Sequence, residues 1–92
     1  MSYIIEFTYI ALSDIEQHKN SGDQKILKKI RKLLKELAEH PLVGTGQPEK
    51  LKHDFQGYYS RRINKKHRII YSINEEIITV VVLSAYGYYG DK

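Results

Sequence analysis

Between Asp23 and Pro41 the chain repeats apolar side chains at intervals of three and four, so that Ile26, Leu27, Ile30, Leu33, Leu34, Leu37 and Ala38 form one broad stripe. Lys25, Lys28, Lys29, Arg31, Lys32 and Lys35 take much of the remainder. Such a stripe predicts a helix that packs against another layer. Asp23, or Ser21 with Gln24 three residues on, can cap its start, and Pro41 disfavours helical geometry at His40, where the helix should end. The lysine face has two readings: an ordinary solvated helix surface, or a contact with phosphates at a distance from any chemistry.

Upstream, YIIEFT over residues 3–8 predicts a short strand, and Thr8 can cap a helix starting near Tyr9. In that helix Ala11, Leu12 and Ile15 fall on an apolar side, with Asp14, Glu16, Gln17 and Lys19 opposite. Asn20, Ser21 and Gly22 break it. Residues 41–48, PLVGTGQP, predict a loop. Its G-T-G is not read as a phosphate-binding turn, because no strand leads into it and no helix follows.

Beyond Pro48 the period changes from helical to alternating. KLKHDF (50–55), YYSRRIN (58–64), RIIYSI (68–73) and IITVVVLSAY (77–86) read as four strands with short turns at Gln56-Gly57, Asn64 to Lys66 and Asn74 to Glu76. Connections this short favour an antiparallel meander. The nearly continuous apolar run Ile77 to Leu83 predicts a central strand buried on both faces. The expected fold is α+β: one domain over residues 1–92, with two N-terminal helices on one face of a mainly antiparallel, twisted sheet of about five strands.

With no cysteine, disulfides, thiolate catalysis and cysteine-ligated metals are excluded. No apolar run approaches the ~20 residues of a membrane helix, and MSYIIEF lacks the layout of a secretory leader. A cytoplasmic protein with no membrane partner is expected. Its basicity is focused: residues 49–68 carry seven positive and two negative side chains, a net of +5, while the whole chain is only +4. This concentration, interleaved with Tyr58, Tyr59 and two histidines, suits a surface that meets a polyanion.

Alternation in YYSRRIN sends Tyr59, Arg61 and Ile63 to one face and Tyr58, Ser60 and Arg62 to the other. One arginine can serve a ligand and the other a sheet edge or an ion pair. Arg68 shares a face with Ile70 and Ser72, opposite Ile69, Tyr71 and Ile73, and begins its strand beside a loop carrying Lys65, Lys66 and His67. Glu49, a carboxylate at the border of these cations, is either an ion-pair partner or a general base poised to take a proton from a hydroxyl. His18, His40, His53 and His67 show no metal-ligand spacing, and structural or surface roles suit them. No cofactor motif is present. The tail SAYGYYGDK offers tyrosines able to stack on unpaired bases or donate a phenolic hydrogen bond.

The segments G-T-G-Q-P-E-K-L-K (44–52), G-Y-Y-S-R-R-I (57–63), H-R-I-I-Y (67–71) and the terminal SAYGYYGDK resemble the Txe/YoeB group of RelE-like bacterial toxins over nearly the whole chain. The resemblance implies a RelE-like fold and the toxin of a type II toxin–antitoxin pair. It further implies a ribosome-dependent endoribonuclease that cleaves mRNA in the A site by metal-independent attack of the RNA's 2′-hydroxyl. Its partners would be a cognate antitoxin, the ribosome, mRNA and a second copy in a homodimer. By position, Glu49 matches the general base, Arg68 the arginine that stabilises charge at phosphorus, and Tyr89 the C-terminal tyrosine. Tyr88 stands where the family usually places a histidine that acts as general acid. Lys52 matches a lysine of that site, and Arg61, Arg62, Lys65, Lys66 and His67 are expected to add phosphate contacts. The same basic strands would also suit a noncatalytic RNA- or ribosome-binding module, or a groove for an acidic protein.

Overall fold

In the computed structural model, residues 2–46, 48–52 and 56–87 are described. The chain runs β1 (Ile4–Phe7), α1 (Tyr9–Ser21), α2 (Gln24–Glu39), β2 (Glu49–Lys50), β3 (Tyr59–Arg62), β4 (Arg68–Asn74) and β5 (Thr79–Ser84). Both helices start where side-chain oxygens meet their first free amides. Thr8 accepts from the Ala11 amide, and Asp23 accepts from those of Lys25 and Ile26. Gly22 closes α1 in the left-handed region at φ 74°. The second helix ends at Glu39, directly before His40 and Pro41.

The five strands form one sheet in the order β1-β5-β4-β3-β2. Strands β2 to β5 make the expected antiparallel meander, and β1 adds in parallel to β5, pairing Ile4 with Thr79 and Phe7 with Val82. Ile30, Leu33 and Leu37 of α2 and Ala11 of α1 pack on one sheet face against Ile69, Tyr71, Val80 and Val82. The α2 stripe is therefore covered, and its lysines point away from the core. A backbone bond from Tyr3 N–H to Ala38 O (2.6 Å) ties the first strand to the end of α2.

Four expectations are corrected. The strand over 77–86 begins only at Thr79: Ile77 is 59% exposed and Ile78 sits at φ 49°, both within the turn that follows Asn74. The middle of the sheet belongs to β4. On β5, Val80 and Val82 face the helices while Val81 and Leu83 are only half-buried, so the apolar run marks one fully covered face rather than two. In the segment expected over 50–55, the described ladder pairs are those of Glu49 and Lys50, the Leu51 amide donates to Tyr58 O at 3.0 Å, and residues 53–55 lie outside the described residues. In α1, Asp14 and His18 are buried with Ala11, whereas Leu12 is half-exposed. Asp14 belongs inside because its carboxylate receives the Ala85 amide at 2.9 Å.

Candidate active site

Strand β3 separates two kinds of chemistry. Its register with β4 pairs Tyr59 with Tyr71 and Arg61 with Ile69 on the helix-covered side, and Ser60 with Ile70 and Arg62 with Arg68 on the other. Glu49 of β2 pairs with Ser60, which brings it to the uncovered side as well. From the neighbouring strand Arg68 extends its guanidinium back across the sheet, placing Nη1 3.5 Å from Ser60 Oγ and 3.4 Å from Glu49 Oε1. A carboxylate and a guanidinium from strands at opposite sides of β3 thus meet on an open face.

The Glu49 side chain is 55% exposed and that of Arg68 14%. An ion pair with one partner so wet contributes at most about 1 kcal/mol to stability. Its arrangement is better suited to exchange with a solute than to holding the fold. Lys50, Leu51, Lys52 and Gln56, which follow Glu49 in the chain, line a cleft of about 330 Å³. Arg62, Lys65 and Lys66 are exposed.

Arg61 is placed elsewhere. Expected among the phosphate contacts, it is fully buried on the helix side. Its guanidinium pairs with Glu36 Oε1 of α2 at 3.0 Å and donates to the carbonyls of His40, Val43 (2.6 Å) and Thr45 (3.3 Å). Its Nε lies 3.4 Å from Tyr71 Oη, which in turn donates to Pro41 O at 2.7 Å. Glu36 also receives the Thr45 amide at 2.6 Å, and that bond, with Arg61 and Lys32 nearby, holds the Glu36 carboxyl below its ordinary pKa. The carbonyls of His40, Val43 and Thr45 converge on one planar, five-donor cation, which a lysine could not satisfy.

This contact explains the G-T-G. A Cβ on Gly44 would collide with Glu36 Oε1, and one on Gly46, at φ +88°, would lie 2.9 Å from Arg62 O and 3.2 Å from Arg61 Cβ. The glycines let the loop close over Arg61, and the Gly46 carbonyl then receives the Arg62 amide. The loop that leads into Glu49 is thereby fixed to the strand that carries Ser60.

His67 is also corrected. It is buried, and its Nδ1 accepts from the Gly87 amide at 2.9 Å, so the ring faces the protein rather than a ligand. Glu36, Ser60 and the buried pair Asp14 and His18 were not singled out by sequence pattern. The spacing of Asp14 and His18 by four residues puts them on one helix face, but only the tertiary fold shows that face to be covered. Tyr88 and Tyr89 lie outside the described residues. No three His, Asp or Glu side chains among the described residues are grouped to hold a metal ion.

The family model described as "YoeB-like toxin of bacterial type II toxin-antitoxin system" matches residues 7–88. The chain belongs to this YoeB-like toxin family. Toxin YoeB of Synechocystis sp. is 38% identical over 76 residues, covering 78% of this chain and 88% of the relative. Among solved structures, a YoeB/ParE toxin from Agrobacterium tumefaciens superposes with a TM-score of 0.86 at 30% identity, over 94% of this chain and 99% of that one. Two Staphylococcus aureus structures, a heterotetrameric YoeB–YefM toxin–antitoxin complex and a YoeB dimer, give TM-scores of 0.77 and 0.79. Each is 38% identical and covers 95% of this chain and 98% of its own. The chain is thus a type II toxin of the YoeB family, with the RelE-like fold.

Replacing Arg61 by Met leaves the partly buried Glu36 and several loop carbonyls without their cation, and should cost about 3–5 kcal/mol in urea unfolding, with Arg61→Lys recovering little. A loss below 1 kcal/mol would show that the loop holds its place without the guanidinium.

Proposed function

We propose that this toxin is a ribosome-dependent endoribonuclease that cleaves mRNA in the A site, using the RNA's own 2′-hydroxyl and no metal ion. The observation that carries the reading is the Glu49 carboxylate 3.4 Å from the Arg68 guanidinium on an otherwise cationic, open sheet face. A surface that only binds phosphate has no use for a carboxylate at its centre, since it repels the ligand. A reaction that removes a proton from a hydroxyl does.

In this mechanism Glu49 takes the proton of the 2′-hydroxyl as its oxygen forms a bond to the adjacent phosphorus. Arg68 and Lys52 neutralise the charge that develops on the nonbridging oxygens. The bond from phosphorus to the 5′-oxygen breaks, and Tyr88 supplies the proton that this oxygen needs, with Tyr89 beside it in sequence. The products are a 2′,3′-cyclic phosphate and a 5′-hydroxyl. A phenol, with an ordinary pKa near 10, is a weaker donor than the histidine near 6.5 that the family resemblance implies at this position. Arg62, Lys65 and Lys66 hold the RNA backbone, through contacts that weaken with salt.

The partners follow from the same family. A cognate antitoxin would cover the basic face, and two toxin copies would pair as the S. aureus protein does. Among the described residues no helix is long and apolar enough to cross a membrane. Function on ribosomes requires a cytoplasmic location.

Glu49→Gln and Arg68→Met should each lower ribosome-dependent mRNA cleavage by roughly 10²–10⁴-fold, while stability stays within about 1 kcal/mol of wild type. Undiminished cleavage in either variant would remove that residue from the mechanism. Tyr88→Phe should reduce cleavage by on the order of a hundredfold between about pH 6 and 8. Full activity in that variant would assign the leaving-group proton to another donor.

A further inference from the structure

The histidine next to the proposed catalytic arginine is committed to the chain just before the C-terminal tyrosines. Gly87 is gripped on both sides of its Cα by the dipeptide His67-Arg68: its amide donates to His67 Nδ1 at 2.9 Å, and its carbonyl receives the Arg68 amide at 2.9 Å. Two residues earlier, Ala85 is held in the same manner by α1. Its amide donates to Asp14 Oδ2 at 2.9 Å, and its carbonyl receives His18 Nε2–H at 2.8 Å. Between these anchors, the Tyr86 ring lies 4.3 Å from His67 and 5.0 Å from His18, and the two imidazoles meet edge to face at 4.7 Å. Ala85, His18, His67 and Asp14 are all buried.

We propose that His67 is a positioning residue, an acceptor clamp that registers the chain at Gly87, from which the C-terminal tyrosines follow, against Arg68, and that protonation of its ring opens the clamp. The inference rests on the nuclease reading for its consequence in catalysis, though not for the clamp itself. Tyr88 follows Gly87 by one peptide bond, so wherever the tyrosines act, their origin is set by the Gly87 amide and carbonyl. Arg68 carries the guanidinium at its side chain and the Gly87 contact at its backbone. One dipeptide therefore relates the proposed base side of the site to its acid side. The bond to Gly87 requires a lone pair on Nδ1, hence a neutral ring protonated on Nε2. An added proton on Nδ1 sets donor against donor.

The surroundings favour the neutral form. Burial first, then the neighbouring His18 and Lys66, push the His67 pKa below its ordinary 6.5, while Asp14 on α1 opposes them. Asp23 from the start of α2 lines the same cleft of about 350 Å³, together with Asn64, Lys66 and Tyr86. A histidine whose pKa is lowered on folding binds fewer protons in the folded chain than in the unfolded one. Its contribution to stability is thus present above pH 6.5 and is lost as pH falls through its lowered folded value. The clamp should be closed at neutral pH and open in acid.

The test is amide hydrogen exchange of the full chain by NMR, with ribosomal cleavage as a second readout. In the wild type, exchange protection at Gly87 should be present at pH 7.5 and fall markedly by about pH 5, while the core amide of Val82 stays protected. His67→Asn keeps an acceptor near the Nδ1 position without a titratable ring, and should retain Gly87 protection at both pH values. His67→Phe should lack it at both. In cleavage at neutral pH, His67→Phe should lower kcat by roughly tenfold to a hundredfold with little change in KM, and His67→Asn should recover most of it. Gly87 protection that is independent of pH in the wild type, or intact in His67→Phe, would overturn the clamp. Loss of protection with unchanged kcat, in a protein that Glu49→Gln inactivates, would overturn its positioning role. A wild-type protein inert on ribosomes would count against the nuclease reading, and the exchange experiment would still decide the clamp.

Discussion

A single buried cation, Arg61, holds together the parts of this toxin that its site depends on. Removing a guanidinium from water is costly unless its donors are met, and here they are met by Glu36, Tyr71 and the carbonyls of His40, Val43 and Thr45. Each partner belongs to a different piece of structure: the second helix, the middle strand, and the loop that descends to Glu49. The ion pair is thus less a source of net stability than a device that permits one arrangement of helix, loop and sheet. Once that arrangement is fixed, β2 pairs with β3 in the register that sets Glu49 against Ser60 and within reach of Arg68.

The two arginines of β3 show how one strand carries a structural cation and an exposed one side by side. Alternation gives Arg61 to the dry face and Arg62 to the wet one, a difference of one residue and a complete difference of environment. The next strand repeats the device at His67 and Arg68. The histidine turns inward to hold the chain before the tail, and the arginine turns outward to meet Glu49. Charge in the basic segment is therefore divided between holding the site and forming it.

Much of this was legible in the sequence because it depends on local period. The α2 stripe, the Thr8 and Asp23 caps, the stop before Pro41 and the opposite faces of Arg61 and Arg62 all follow from spacing. The motifs around Glu49 and Arg68 carried the family resemblance. What spacing could not tell was which cation finds an internal partner. Arg61 and Arg62 are equivalent as letters, and only Glu36, distant in sequence, makes one of them structural. In the same way Asp14 resembles any exposed helix carboxylate until the Ala85 amide is brought against it. The apolar Ile77 and Ile78 continue the pattern of β5, yet they belong to a turn, because an apolar run does not mark where a strand must reverse.

The central claim is that the Glu49 and Arg68 pair exists to direct a 2′-hydroxyl at its neighbouring phosphate, with no outside nucleophile. That claim fixes the chemical form of the broken RNA ends. The most direct measurement is mass spectrometry of the fragments released when the toxin acts on a programmed ribosome, at times short enough to precede secondary hydrolysis. The account predicts a 2′,3′-cyclic phosphate on the upstream fragment and a 5′-hydroxyl on the downstream one. A 3′-hydroxyl with a 5′-phosphate would mean that water or another nucleophile attacks, and would contradict it.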